Sequence, residues 1–213
     1  VAIEAVHVRP TMRLPAFLAP IALALALPIA APAQTGDVLI QAGHQGRPAS
    51  CAPNHVHYCA LGAVGGHERE IAWTPIVADE ATRRLRADGF RVVRRPADHP
   101  GHDSARLAFF LHFDGAVPAC SSGASVGFPP TTSRAFITAW ERRYRAIFPF
   151  RFVGENISSH ESGYYAFRNV DAPQKLLIEF GELSCPAQRA WLKPRLHALG
   201  DQLAVFAETW LQR

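Results

Sequence analysis

Three short apolar runs organise the chain, and each leads to one polar side chain. Val38 to Ile40 runs through Gln-Ala-Gly into His44, Leu107 to Leu111 stops on His112, and Leu176 to Ile178 stops on Glu179. Continuous apolar runs of this length read as strands buried on both faces. An open α/β sheet builds its site at the carboxyl ends of such strands, so the pattern predicts that two histidines and a glutamate gather at one sheet edge.

Between the runs the periodicity changes. Thr74-Pro75 reads as an N-cap followed by a first helical residue and Gly89 as a stop, with Val77, Ala81 and Leu85 on one face, which predicts a helix over 75–88. Phe90 to Arg94 follows as a strand, 95–104 as a loop, and Ala124 to Phe128 as a short strand within the loop from Asp114 to Pro130. Thr131 to Phe148 reads as a helix with Phe136, Trp140, Tyr144 and Ile147 at core spacing. Tyr164 to Phe167 reads as a strand, 186–199 as a helix kinked or broken at Pro194, and 201–211 as a last helix burying Leu203, Phe206 and Trp210. The fold class expected is α/β: a single domain with a twisted, mostly parallel or mixed sheet flanked by helices on both faces.

Part of the 213-residue chain falls outside that domain. Met12-Arg13, the apolar stretch from Leu14 to Ala30 and Ala31-Pro32-Ala33 have the layout of a secretory signal over 12–33, with residues 1–11 read as upstream sequence. A transmembrane anchor is the competing reading, disfavoured by Pro15, Pro20 and Pro28. About 180 residues remain, enough for one ordinary core. Export makes the expected location periplasmic or secreted, with no membrane attachment after cleavage, and makes two disulfides the default for the four cysteines. Cys51 with Cys59 and Cys120 with Cys185 are the favoured pairs, since Cys120 and Cys185 each lie just beyond a site-bearing strand; the alternative makes His55-Val56-His57-Tyr58-Cys59 a metal knot. Net charge is +4 for the whole chain. No basic block or basic helix accompanies it, and a nucleic-acid partner is not expected.

Zinc hydrolysis takes three protein ligands of histidine and carboxylate type, and a separate carboxylate to move the proton. His44, a carboxylate near residue 70, His112 and Glu179 supply that list, whereas His-Glu-x-x-His and Gly-x-Ser-x-Gly signatures are missing. His67, Glu68 and Glu70 are the candidates for the group near residue 70.

In this order the motifs resemble the zinc-dependent N-acetylmuramoyl-L-alanine amidases of the single-domain α/β type. Ala42-Gly43-His44-Gln45-Gly46 matches the Gly-His motif of the first ligand, Glu70 the glutamate at the start of the first long helix, and Phe110-Leu111-His112-Phe113-Asp114 the strand ending in the third ligand. Leu177-Ile178-Glu179-Phe180-Gly181-Glu182-Leu183-Ser184-Cys185 matches the stretch around the catalytic glutamate except at Glu182 and Cys185. The resemblance spans about residues 37–212 and implies zinc on His44, Glu70 and His112, Glu179 as general base and acid, and peptidoglycan or its muropeptide fragments as substrate. Alternatives are a zinc hydrolase of the same fold acting on another peptide or acylated amino sugar, and a non-catalytic cell-wall binding domain.

Overall fold

The computed structural model describes residues 33–47, 61–98 and 102–213. The signal segment and the Cys51 to Cys59 loop, with its histidines, therefore lie outside the described residues, apart from Ala33. In chain order the elements are β1 (Val38–Ala42), β2 (Val64–Gly65), β3 (Glu68–Arg69), α1 (Glu70–Ala87), β4 (Val92–Arg95), β5 (Asp103–Ser104), β6 (Leu107–Asp114) and β7 (Ala124–Gly127). Then come α2 (Arg134–Arg145), β8 (Phe152–Glu155), α3 (Ser159–Ser162), β9 (Val170–Asp171), β10 (Gln174–Glu182), α4 (Pro186–Leu192) and α5 (Leu196–Leu211).

Six strands form one mixed sheet in the order β4-β1-β6-β10-β7-β8. The first four run parallel, β7 is antiparallel to β10, and β8 is parallel to β7. The apolar runs are the central strands β1, β6 and β10, where both faces are covered and an alternating pattern would leave polar groups dry. From β1 the chain crosses by α1 to β4 on one side, then returns to β6 on the other. The β1/β6 boundary is thus the point where strand order reverses, the usual place for a ligand crevice in an open sheet.

Helices lie on both faces, in very unequal measure. Ile40, Phe109, Leu176 and Ile178 meet α1, α2 and α5 in the larger core, which also takes in Phe136, Trp140, Leu203 and Phe206. Gly200 lets α5 close on α1, since a Cβ there would lie 2.7 Å from the Val77 carbonyl oxygen. Among the described residues, the opposite face, with Leu39, Phe110 and Leu177, is covered mainly by Tyr164, Ala166, Phe167, Val170 and Ala172 from the segment around α3 and β9. This thinner cover leaves room at the carboxyl edge.

Several boundaries differ from the local sequence signals. Helix α1 begins at Glu70, and Thr74-Pro75 lies inside it. Its first N–H groups are satisfied from outside, Glu70 N by Ala63 O and Ile71 N by Leu61 O, so the chain ahead of the helix replaces the N-cap. Thr74 is buried and donates to Gly43 O at 2.6 Å, while Pro75 forgoes only the bond to the carbonyl of Ile71. Tyr164 to Phe167 is no strand: Tyr165–Arg168 is a 3-10 turn that directs Ala166 and Phe167 into the smaller core. Helix α2 starts after Ser133, whose side chain caps it, and Phe148 is buried where Ile147 was expected to be. The helix from 186 does break at Pro194, in a 3-10 turn over Lys193–Arg195, but α5 resumes at Leu196 rather than Asp201. Among the described residues no helix is long and apolar enough to cross a membrane.

Candidate metal centre

Backbone geometry sets the first two groups of the site. Gly43 follows β1 and must be glycine, because a Cβ there would lie 2.5 Å from Leu111 O and 2.7 Å from His112 Nδ1. His44 then turns off the strand with φ at 61°, a left-handed conformation uncommon for a side-chain-bearing residue. Residues 61–63 wrap the third group: Ala63 N donates to Glu70 Oε2 at 2.8 Å, and Phe113 N donates to Glu70 Oε1 at 3.0 Å. Gly62, at φ 79°, passes so close that a Cβ would sit 2.7 Å from that of Glu70.

His44, Glu70 and His112 are all buried, and one ligand atom from each lies within 4.8 Å of the others. His112 Nδ1 is 2.8 Å from Glu70 Oε1, and His44 Nε2 is 3.4 Å from Glu70 Oε2. Burial lowers the His112 pKa to about 3, with the charges of His160 and Arg47 adding to the shift, so its ring is neutral at pH 7. Burial raises the Glu70 carboxyl, against a downward pull from His44. A neutral imidazole nitrogen and a carboxylate oxygen in contact share a proton or a cation. Two imidazoles and one carboxylate are a donor set suited to zinc, and the residues present fit a metal ion.

Glu179 stands beside this cluster by strand register, paired with His112 on β6 and with Ser125 on β7. It is 7% exposed, and its Oε2 has no hydrogen-bond partner among the described residues. Burial pushes its pKa well above the ordinary carboxylate value, and the charges of Glu70, Asp114 and Glu161 push the same way. A cavity of about 320 Å³ joins the groups, lined among others by His44, Glu70, His112, Asp114, His160 and Glu179. The arrangement places a carboxylate able to take up and release a proton beside a site able to hold a cation.

The substitutes named from sequence lie elsewhere. His67 is exposed at the tip of the β2–β3 hairpin, and Glu68 turns outward to Lys193 and Trp73. Glu182, three residues past Glu179, is separated from it by a register shift in β10, where Gly181 has φ at 147°. Its carboxylate accepts from Cys120 N at 2.6 Å, Ser122 N at 2.8 Å and Ser184 Oγ at 2.5 Å, anchoring the loop after β6. The Cys120–Cys185 disulfide ties that same loop to the start of α4. Sequence reasoning missed three neighbours. Tyr164 lies 3.1 Å from His112 Nε2, Gln41 lies 2.9 Å from Tyr164, and His160 lines the cavity mouth. Of these only Gln41 left a signal, as a polar residue inside a buried strand.

A mostly parallel sheet that gathers two imidazoles, a carboxylate and a second buried carboxylate at its carboxyl edge has a layout suited to metal-assisted hydrolysis. Solved structures share that architecture. The N-acetylmuramoyl-L-alanine amidase AmiC2 of Nostoc punctiforme superposes with a TM-score of 0.64 at 16% identity, covering 83% of this chain and 97% of that one. The catalytic domain of CwlV, an N-acetylmuramoyl-L-alanine amidase from Bacillus (Paenibacillus) polymyxa var. colistinus, gives 0.62 at 17% identity, covering 84% and 98%. A putative N-acetylmuramoyl-L-alanine amidase from Neisseria meningitidis gives 0.60 at 14% identity, covering 83% and 96%. No protein-family model matches the chain, and no curated protein matches it in sequence. The chain therefore has the fold of N-acetylmuramoyl-L-alanine amidase catalytic domains, across most of its length and theirs.

Proposed function

We propose that the protein is a zinc-dependent N-acetylmuramoyl-L-alanine amidase, which hydrolyses the amide joining the lactyl group of muramic acid to L-alanine in peptidoglycan. The observation that carries this reading is the buried His44–Glu70–His112 cluster with Glu179 beside it in register, on a sheet of amidase fold. Held there, zinc would supply Lewis acidity toward the scissile carbonyl and the attacking water.

Glu179 would take the proton from that water and return it to the departing alanine nitrogen. Its surroundings suit both halves of the task. Burial among carboxylates makes the protonated form easy to hold, and Oε2, unpartnered among the described residues, is available to a water or an amine in the cavity. Glu70 accepts two backbone N–H bonds, which keep its carboxylate fixed while the substrate changes. A cell-wall substrate places the protein in the periplasm or outside the cell, in keeping with the segment over 12–33 and with the Cys120–Cys185 disulfide.

Digestion of purified peptidoglycan tests the proposal. New amino termini should belong to L-alanine, with intact lactyl ethers left on the glycan, and cleavage should stop on chelation and return with zinc. Amino termini at any other residue would replace this substrate with another amide and leave a zinc hydrolase of different specificity. Stoichiometric zinc with no cleavage of peptidoglycan or its fragments would favour a binding domain.

A further inference from the structure

Behind His112, on the side away from Glu70, three buried polar groups form a chain whose proton directions can be worked out one by one. The Ala97 carbonyl oxygen can only accept, so Gln41 must turn its amide nitrogen toward it, at 2.9 Å. Gln41 Oε1 is then left to accept from the Tyr164 hydroxyl, at 2.9 Å. A tyrosine has one hydroxyl proton, and that contact uses it. Toward His112 Nε2, 3.1 Å away, the Tyr164 oxygen can therefore only accept, so Nε2 must carry the ring proton. Nδ1 keeps its lone pair, and it is Nδ1 that faces Glu70 Oε1.

We propose that Gln41 and Tyr164 are positioning residues that hold His112 as the Nε2–H tautomer and so reserve Nδ1 for the metal. The inference rests on the metal centre proposed above. Gln41 is fully buried, Tyr164 and His112 nearly so, which keeps water from offering the ring a competing partner. The Ala97 carbonyl is itself a fixed anchor, since the Tyr165 hydroxyl also donates to it. Packing alone does not require these polar groups. The Tyr164 ring lies against Phe110 and Phe167 at centroid distances of 5.5 and 5.7 Å, contacts that a phenylalanine would keep. A glutamine in a strand otherwise made of Val38, Leu39, Ile40 and Ala42 costs desolvation, which the chain of bonds to Ala97 and Tyr164 offsets.

The test uses the protein labelled with nitrogen-15 at histidine, together with Tyr164→Phe and Gln41→Leu. Long-range proton–nitrogen correlation reads which ring nitrogen of His112 is protonated, with and without zinc, and chelator competition reads zinc affinity. With zinc bound, wild type should show Nε2–H. Tyr164→Phe should keep the fold yet bind zinc about 10- to 100-fold more weakly, the usual effect of removing an outer partner of a metal-bound histidine. In Gln41→Leu the Tyr164 proton is freed to point at Nε2, so the Nδ1–H fraction of the metal-free protein should rise above that of wild type. An Nδ1–H ring in zinc-bound wild type, or wild-type zinc affinity in Tyr164→Phe, would overturn the inference. A wild-type protein that shows Nε2–H but takes up no zinc would instead overturn the metal centre, so the two failures are distinct.

Discussion

Replacing Glu179 by glutamine removes a proton acceptor from the cavity and a buried carboxylate from the fold, and the two losses have opposite signs. General acid–base groups contribute about 10²- to 10⁴-fold, which corresponds to roughly 3 to 5 kcal/mol of activation free energy. The amide keeps the shape of the side chain but cannot take the water's proton, so turnover on muropeptides should fall by that factor while zinc content stays at one per chain. The wild-type rate should decline as pH falls through the Glu179 pKa, and this limb should vanish in the variant. Stability moves the other way. The folded-state pKa of Glu179 lies above its ordinary value of 4.5, because of burial first and the charges of Glu70, Asp114 and Glu161 after it. The stabilisation this group contributes is therefore fully present below about pH 4.5 and is lost as pH rises through the folded value, at about 1.4 kcal/mol per unit of separation. Glutamine does not titrate, so metal-free Glu179→Gln should gain stability relative to wild type as pH rises above about 4.5 in urea unfolding. Near wild-type turnover would remove Glu179 from the chemistry. A variant that loses stability relative to wild type over that pH interval would show that the carboxylate is paired after all.

Three further outcomes are expected. Wild type should hold one zinc per chain, and His44→Ala with His112→Ala should abolish it, as atomic absorption after gel filtration would show; stoichiometric metal in the double variant would refute the site. The Cys120–Cys185 bridge closes a sequence separation of 65 residues, worth about 4 kcal/mol in the chain-entropy model, so Cys120→Ser with Cys185→Ser should lower both the urea midpoint and activity. Glu182→Gln should cost about 2 kcal/mol by weakening the charge-assisted bonds to Cys120 N and Ser122 N, with zinc content unchanged; loss of zinc would mean that Glu182 belongs to the centre itself.

The central strands were legible in the sequence because burial on both faces leaves no polar position to interrupt an apolar run. Val38–Ala42, Leu107–Asp114 and Gln174–Glu182 contain those runs, and His112 and Glu179 sit side by side because the strands that carry them are parallel neighbours. Cys120 and Cys185 were legible as partners for the same reason, each just beyond one of those strands. What failed was local reasoning where distant chain supplies the bonds. Thr74-Pro75 is a sound helix start by its own chemistry, yet the carbonyls of Leu61 and Ala63 satisfy the helix from Glu70 onward, and this is what brings Glu70 to His44 and His112. No periodicity distinguishes Glu179 from Glu182 as a proton carrier. The register shift at Gly181 and the N–H groups of a loop some 60 residues earlier pair one carboxylate fully and leave an oxygen of the other without a partner among the described residues. Tyr164 and Gln41 met for a related reason: a strand period can be read along one segment, but a hydrogen bond spanning 123 residues exists only once the sheet has formed and its thinner face has been covered. Local composition determined which segments had to be buried, because the cost of wetting apolar surface is paid residue by residue. Which polar atoms ended up paired was decided by tertiary structure, because each buried donor or acceptor must find its partner wherever the fold places one.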